Sequence, residues 1–138
     1  MTRLTLRIDF DPARSVGPGK IRLLELIRET GSISAAGRAM DMSYRRAWLL
    51  VDALNKSFRD PVVTTKLGGK AGGGAALTQF GEELIGHYRD MELVAHAALR
   101  PHLRTLESAL SQKPLTDFGG IDETERAQSD EGQDRRGP

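Results

Sequence analysis

Residues 32–58, "SISAAGRAMDMSYRRAWLLVDALNKSF", constrain the fold more than any other stretch, because they hold two amphipathic helical patterns with only a few residues between them. Ser32 suits the cap of the first helix, in which Ile33, Ala36 and Met40 share a face. Ala36 and Gly37 are small enough to let another backbone come close. Asp41 and Met42 form a tight turn, and Ser43 stands where the cap of the next helix belongs. In that helix Ala47, Val51, Leu54 and Phe58 recur at i, i+4, i+7 and i+11, one buried stripe. Arg45, Leu49, Asp52 and Lys56 then point the other way, with Arg46 beside them, and Trp48 flanks the buried stripe, where core packing or a strand contact is expected. Two short helices so joined, the second with a basic first half facing outward, form a helix-turn-helix pattern.

The flanks extend this unit. Leu4, Leu6, Ile8 and Phe10 alternate with polar residues, the pattern of a strand with one buried face. A turn-rich "DPARSVGPG" leads into a helix expected from Pro18 to Thr30, carried by Ile21, Leu24 and Ile27 and stopped by Gly31. After Phe58, Pro61 ends the third helix and Val62 to Thr65 favour a strand. Five glycines around Lys70 follow, then "AAL" as a returning strand, then a long helix capped by Thr78. Leu84, Tyr88, Met91, Ala95, Leu99, Leu103, Leu106 and Leu110 make a stripe too long for the little domain that remains, so it is expected to face another copy of the chain. Pro101 predicts a kink or break near residue 100. Beyond Lys113 the sequence is polar, charged and nearly aperiodic, and is expected to be disordered.

Charge divides along the same line: residues 1–114 carry a net of +5 and residues 115–138 a net of −4. A basic body with an acidic tail suits a polyanion binder whose tail competes for the same surface. The chain has no cysteine, which closes thiolate metal sites, disulfides and cysteine nucleophiles. No window reaches membrane-spanning length and the N-terminus lacks a continuous apolar signal core, so a cytoplasmic protein with no membrane partner is expected.

The glycine-lysine run invites a nucleotide site, but Gly69-Lys70 is followed by Ala71, and Thr64 stands where a P-loop needs its first glycine. No strand-helix-strand unit surrounds the run, so a dinucleotide fingerprint fails as well. What remains is a hairpin tip whose backbone can lie against phosphates while Lys70 supplies charge. His87, His96 and His102 are nine and six residues apart, spacings that do not gather ligands on a helix. Glu82 and Glu83 at a helix start compensate its dipole. Ser32, Ser34 and Ser43 have no His-Asp partner in the sequence and read as caps or phosphate donors. Neither an enzyme nor a cofactor is expected. Arg45 and Arg46 in the first turn of a recognition helix can grip a guanine edge or a phosphate, with Ser43 and Tyr44 on phosphates beside them and Leu49 placed to meet a thymine methyl.

Taken together, "GSISAAGRAMDMSYRRAWLLVDALNKSF" and "GGKAGGGAALTQFGEEL" closely resemble the N-terminal DNA-binding domain of the ModE family of molybdate-responsive transcriptional regulators, over roughly Thr5 to Ala98. The resemblance implies a winged helix-turn-helix related to LysR-type domains. It also implies a homodimer whose recognition helices enter successive major grooves, with wings around Lys70 reaching the flanking backbone. The helix from Gln79 to about Leu99 would contribute to dimerisation. Family members continue into molybdate-binding β-rich modules, for which a chain of 138 residues has no room, so a stand-alone bacterial DNA-binding domain is expected.

The reading is therefore a mainly α fold with a small β-hairpin wing: a winged helix-turn-helix over 1–78, a dimerisation helix over 79–112 and an acidic tail over 113–138. Double-stranded DNA is the expected partner, bound through Ser34, Ser43, Tyr44, Arg45, Arg46, Leu49, Lys66 and Lys70. Leu84, Tyr88, Met91, Ala95 and Leu99 are the expected dimer contacts, without a metal site. The alternative is an interaction module that pairs with a full-length regulator in trans, with DNA binding incidental.

Overall fold

The computed structural model of the chain describes residues 2–66, 74–113 and 115. Its elements run β1 (Ile8–Asp9), β2 (Ser15–Val16), α1 (Pro18–Thr30), α2 (Ile33–Ala39), α3 (Tyr44–Ser57), β3 (Val63–Lys66), β4 (Gly74–Leu77) and α4 (Gln79–Ser108). This is the mainly helical fold with a small hairpin that the patterning implies. The Lys70 tip, and all of the stretch beyond Lys113 expected to be disordered except Leu115, lie outside the described residues.

Each helix begins and ends where its local chemistry dictates. Pro18 occupies the first turn of α1, where its missing N–H costs nothing, and Gly31 closes the helix in the left-handed conformation (φ 69°) with its N–H on the Ile27 carbonyl at 2.8 Å. Ser32 and Ser43 accept the backbone N–H of Ala35 and Arg46, each at 3.1 Å, and so cap α2 and α3. Thr78 caps α4 by accepting the Gly81 N–H at 2.9 Å.

One core collects the apolar faces. Ile21, Leu23, Leu24 and Ile27 of α1 are fully buried, and Ala36 of α2, Ala47, Val51 and Leu54 of α3 and Val62 before β3 close around them. Helix α1 buries residues on two sides because it lies against α2 and α3 as well as β4 and α4. Among the described residues every buried side chain is apolar or, like Tyr88, mostly so, and apolar burial dominates the stabilisation.

Three features depart from the sequence pattern. The alternation from Leu4 to Phe10 yields only a two-residue strand, with Ile8 opposite Val16 and Asp9 opposite Ser15. The turn is drawn tight by the Asp11 carboxylate, which accepts the N–H of Ala13 and Arg14, and its partner strand stops as Pro18 opens α1. Leu6 and Ile8 pack on the core instead of continuing a ladder. Next, of the kink or break expected near Pro101 the break is absent, since α4 runs as one helix from Gln79 to Ser108. The proline removes one donor, but Ala97, whose carbonyl loses it, is exposed to water that can take its place. Finally, Tyr88 is not on an outward face. It is 0% exposed within a single chain, and its hydroxyl donates to the Leu6 carbonyl at 2.7 Å. The N-terminal segment covers it, so Tyr88 drops out of the expected dimer contacts, and Leu84 packs partly on the same core.

Candidate nucleic-acid interface

The turn between α2 and α3 sets the direction in which α3 points. A Cβ on Gly37 would sit 2.9 Å from the Ala47 Cβ, so only glycine lets the two helices cross this closely. The Gly37 carbonyl accepts the N–H of both Met40 and Met42 at 3.0 Å, and Asp41 takes the left-handed conformation (φ 55°) between them. Asp is among the residues that tolerate that conformation. With Ala47, Val51 and Leu54 locked into the core, the opposite side of α3 is left to solvent.

That side carries most of the expected site. Arg45 is exposed, Tyr44 is 58% and Leu49 57% exposed, and Ser43 stands exposed at the helix start. Among the described residues no carboxylate pairs with Arg45, nor with Arg38 of α2 or Lys66 of β3. Arg46, one position on, is turned about 100° further around the helix and is half-buried, so the two arginines do not share a face. Lys56 is held by Asp52 at 2.8 Å on the outer side. Ser34 sits half-buried in the first turn of α2, and Lys66 is exposed at the end of β3. Lys70 lies outside the described residues. Trp48 differs from expectation: it is 37% exposed and packs edge-to-face on Tyr44, ring centroids 6.2 Å apart. Its place at i+4 from Tyr44 could have signalled that pairing.

The hairpin is fixed to α3 by a residue that pattern reading passes over. Asn55 Oδ1 accepts the N–H of Val62 at 2.7 Å and of Val63 at 3.0 Å, and its Nδ2 donates to the Val63 carbonyl at 3.0 Å. One side chain on α3 thus clamps the root of β3. From there β3 pairs antiparallel with β4, Val63 opposite Leu77 through Lys66 opposite Gly74. The Ala75 N–H reaches the Gly31 carbonyl at 2.9 Å, and Thr78 Oγ1 donates to the Pro61 carbonyl at 2.6 Å. Gly81 of α4 completes the clamp, since a Cβ there would lie 2.3 Å from the Val62 carbonyl oxygen. A polar residue interleaved with a buried stripe and a glycine in a first helical turn were the available signals for Asn55 and Gly81.

Behind the hairpin, charge is spent on internal ties. Arg89 of α4 grips Glu25 of α1 with both Nε and a terminal nitrogen and also meets Glu92, while Arg28 pairs with Glu82 at 2.8 Å. The Arg89 guanidinium holds the Glu25 carboxyl below its ordinary range, and the two carboxylates raise Arg89 further. Among the described residues no group of His, Asp and Glu could hold a metal ion, and no helix is long and apolar enough to cross a membrane.

Comparison with known proteins finds relatives for most of the chain. The chain is 42% identical over 106 residues to the molybdenum-pterin-binding protein MopB of Rhodobacter capsulatus, covering 77% of this chain and 38% of that protein. It is 35% identical over 94 residues to the molybdenum transport protein ModE of Azotobacter vinelandii, covering 68% of this chain and 35% of the other. It is 39% identical over 71 residues to the DNA-binding transcriptional dual regulator ModE of Escherichia coli K12, covering 51% and 27%. The chain thus spans under two fifths of the length of these relatives. No family model matches it.

Proposed function

We propose that this chain, a relative of the ModE and Mop proteins over most of its length, is a sequence-specific DNA-binding regulator of transcription that acts as a homodimer in the bacterial cytoplasm. The observation that carries the reading is Arg45. It is an exposed cation with no carboxylate partner among the described residues, in the first turn of the second helix of a helix-turn-helix. Helix-turn-helix proteins place that turn against base edges in the major groove.

In this reading Arg45 grips a guanine edge at two points, worth roughly 1–3 kcal/mol of discrimination against the wrong base. Arg46, turned toward the side of the helix, is better placed for a phosphate, and Ser43, Tyr44 and Ser34 donate to phosphates nearby. Lys66 and Lys70 bring the wing to the flanking backbone. Met91, Ala95 and Leu99 face a second copy, so two recognition helices are spaced for two half-sites. The Rhodobacter and Azotobacter relatives are a molybdenum-pterin-binding and a molybdenum transport protein, which makes genes of molybdenum uptake or use the first targets to examine.

Fluorescence anisotropy of the purified chain with its own upstream DNA and with random duplex, across salt and with and without molybdate, tests the reading. Preference for the first fragment, with steep salt dependence, supports it. Equal weak binding to both overturns it, and a monomer in sedimentation overturns the homodimer.

A further inference from the structure

The outward side of α3 carries more apolar surface than a phosphate-binding helix needs. Tyr44, Trp48 and Leu49 are all exposed within its first two turns. At 100° per residue Arg45 falls between Trp48 on one side and Leu49 on the other. Tyr44 and Trp48 stand at 76° to each other in edge contact, so each limits the other's rotation and the pair forms one wall. The result is a cation between an aromatic wall and an aliphatic one.

The chemistry of that face selects its occupant. Arg45 has no carboxylate partner among the described residues, and Arg38 and Lys66 on the neighbouring elements have none either, so the surroundings favour a polyanion. In the major groove of duplex DNA, guanine offers paired acceptors to a guanidinium, and thymine alone offers an apolar group, its C5 methyl. We infer that Tyr44 with Trp48, and Leu49, recognise thymine methyl groups flanking the base read by Arg45. The cognate sequence then carries thymine at fixed positions on either side of a guanine. This rests on the DNA-binding function proposed above and names the bases that the same face selects.

The experiment begins with selection of binding sequences from random duplexes by the full chain, followed by anisotropy on the enriched site. The site is then remade with deoxyuridine for thymine, one position at a time, which removes the methyl and leaves base pairing intact. At one or two positions beside the guanine the affinity should fall about fourfold, the size expected for one buried methyl-sized group. Leu49→Ala or Trp48→Ala should bind the thymine and uracil duplexes equally at the corresponding position, whereas Trp48→Phe, which keeps a ring, should retain the difference. Circular dichroism checks that each variant is folded, and Leu49, exposed to solvent, supplies the variant least bound up with the core. An enriched site indifferent to uracil everywhere would overturn the inference and leave the DNA-binding function standing. Uracil sensitivity that persists in both alanine variants would also overturn it, since the methyl would be read elsewhere. Failure to enrich any sequence would remove the DNA-binding function, and the inference with it.

Discussion

The two parts of α4 carry one apolar pattern with opposite fates. From Gln79 to Tyr88 the stripe is covered by the chain itself: Gly81, Ile85 and Tyr88 are buried against α1, the root of the hairpin and the N-terminal segment. From Met91 onward the same spacing continues, yet Met91, Leu99 and Leu106 are exposed at 40%, 40% and 65%. Leu93 and Val94 widen the uncovered surface. The difference teaches that periodicity shows which side of a helix seeks cover, and only the rest of the fold shows whether the chain supplies it. Contiguous exposed apolar surface on a helix of this length suits a second helix of the same kind.

The largest effect should come from removing the deepest residue of the covered part. Tyr88→Ala should lower stability by about 3–5 kcal/mol in urea denaturation, as truncation of a buried aromatic does, while Leu93→Ala on the uncovered part should stay within about 0.5 kcal/mol at concentrations where the chain is monomeric. Equal losses at both would mean that the uncovered part is packed after all.

Two glycines sharpen the contrast further. Gly81→Ala places a Cβ against the Val62 carbonyl oxygen, which is backbone and cannot swing aside, so a loss of about 1–3 kcal/mol is expected. Five residues on, a Cβ at Gly86 meets nothing within 4 Å, and Gly86→Ala should stabilise the chain by up to about 1 kcal/mol through helix propensity. Thermal melts of the pair should therefore move in opposite directions.

These cases also mark how much the sequence discloses. Helices α1 to α3 are legible almost to the residue, because Pro18, Ser32 and Ser43 announce the starts and Gly31 a stop by local chemistry alone. The burial of Tyr88 escapes the periodicity because its cover comes from Leu6, 82 residues away in the chain, and no period records so distant a neighbour. The role of Asn55 is hidden from the pattern for a related reason. Its importance lies in three bonds to Val62 and Val63, and an asparagine on a helix is otherwise an unremarked polar residue. In the candidate site, the exposure of Arg45 and Leu49 follows from the helical wheel. The exposure of Trp48 does not, since it lies at the border between covered and open sides and only the packing of α3 decides it.

On the uncovered part, Leu99→Asp tests the proposed second copy. It should leave the circular dichroism spectrum and monomer stability nearly unchanged, because its side chain has little contact to lose, but it should shift sedimentation from dimer to monomer. If the wild-type chain is dimeric and Leu99→Asp leaves it so, the interface lies elsewhere, and the uncovered stripe is not what holds the copies together.

The smallest effect is expected where cover ends, at the Arg89 to Glu25 pair. Glu25 has its carboxyl held below its ordinary value of 4.5 chiefly by the hydrogen bonds from Arg89. A depressed carboxyl contributes stability that is present above its unfolded pKa and is lost as pH falls through the folded one. The contribution is therefore full at neutral pH and fades below about pH 4.5. Arg89 is partly open to solvent, so screening holds the pair to about 1 kcal/mol or less. Urea denaturation of the wild type and of Glu25→Gln from pH 7 to pH 3 should show a small gap that narrows as the solution is acidified. A gap that widens toward low pH would reverse the sign, and would mean that the Glu25 carboxyl is raised rather than lowered where α4 leaves the body of the protein.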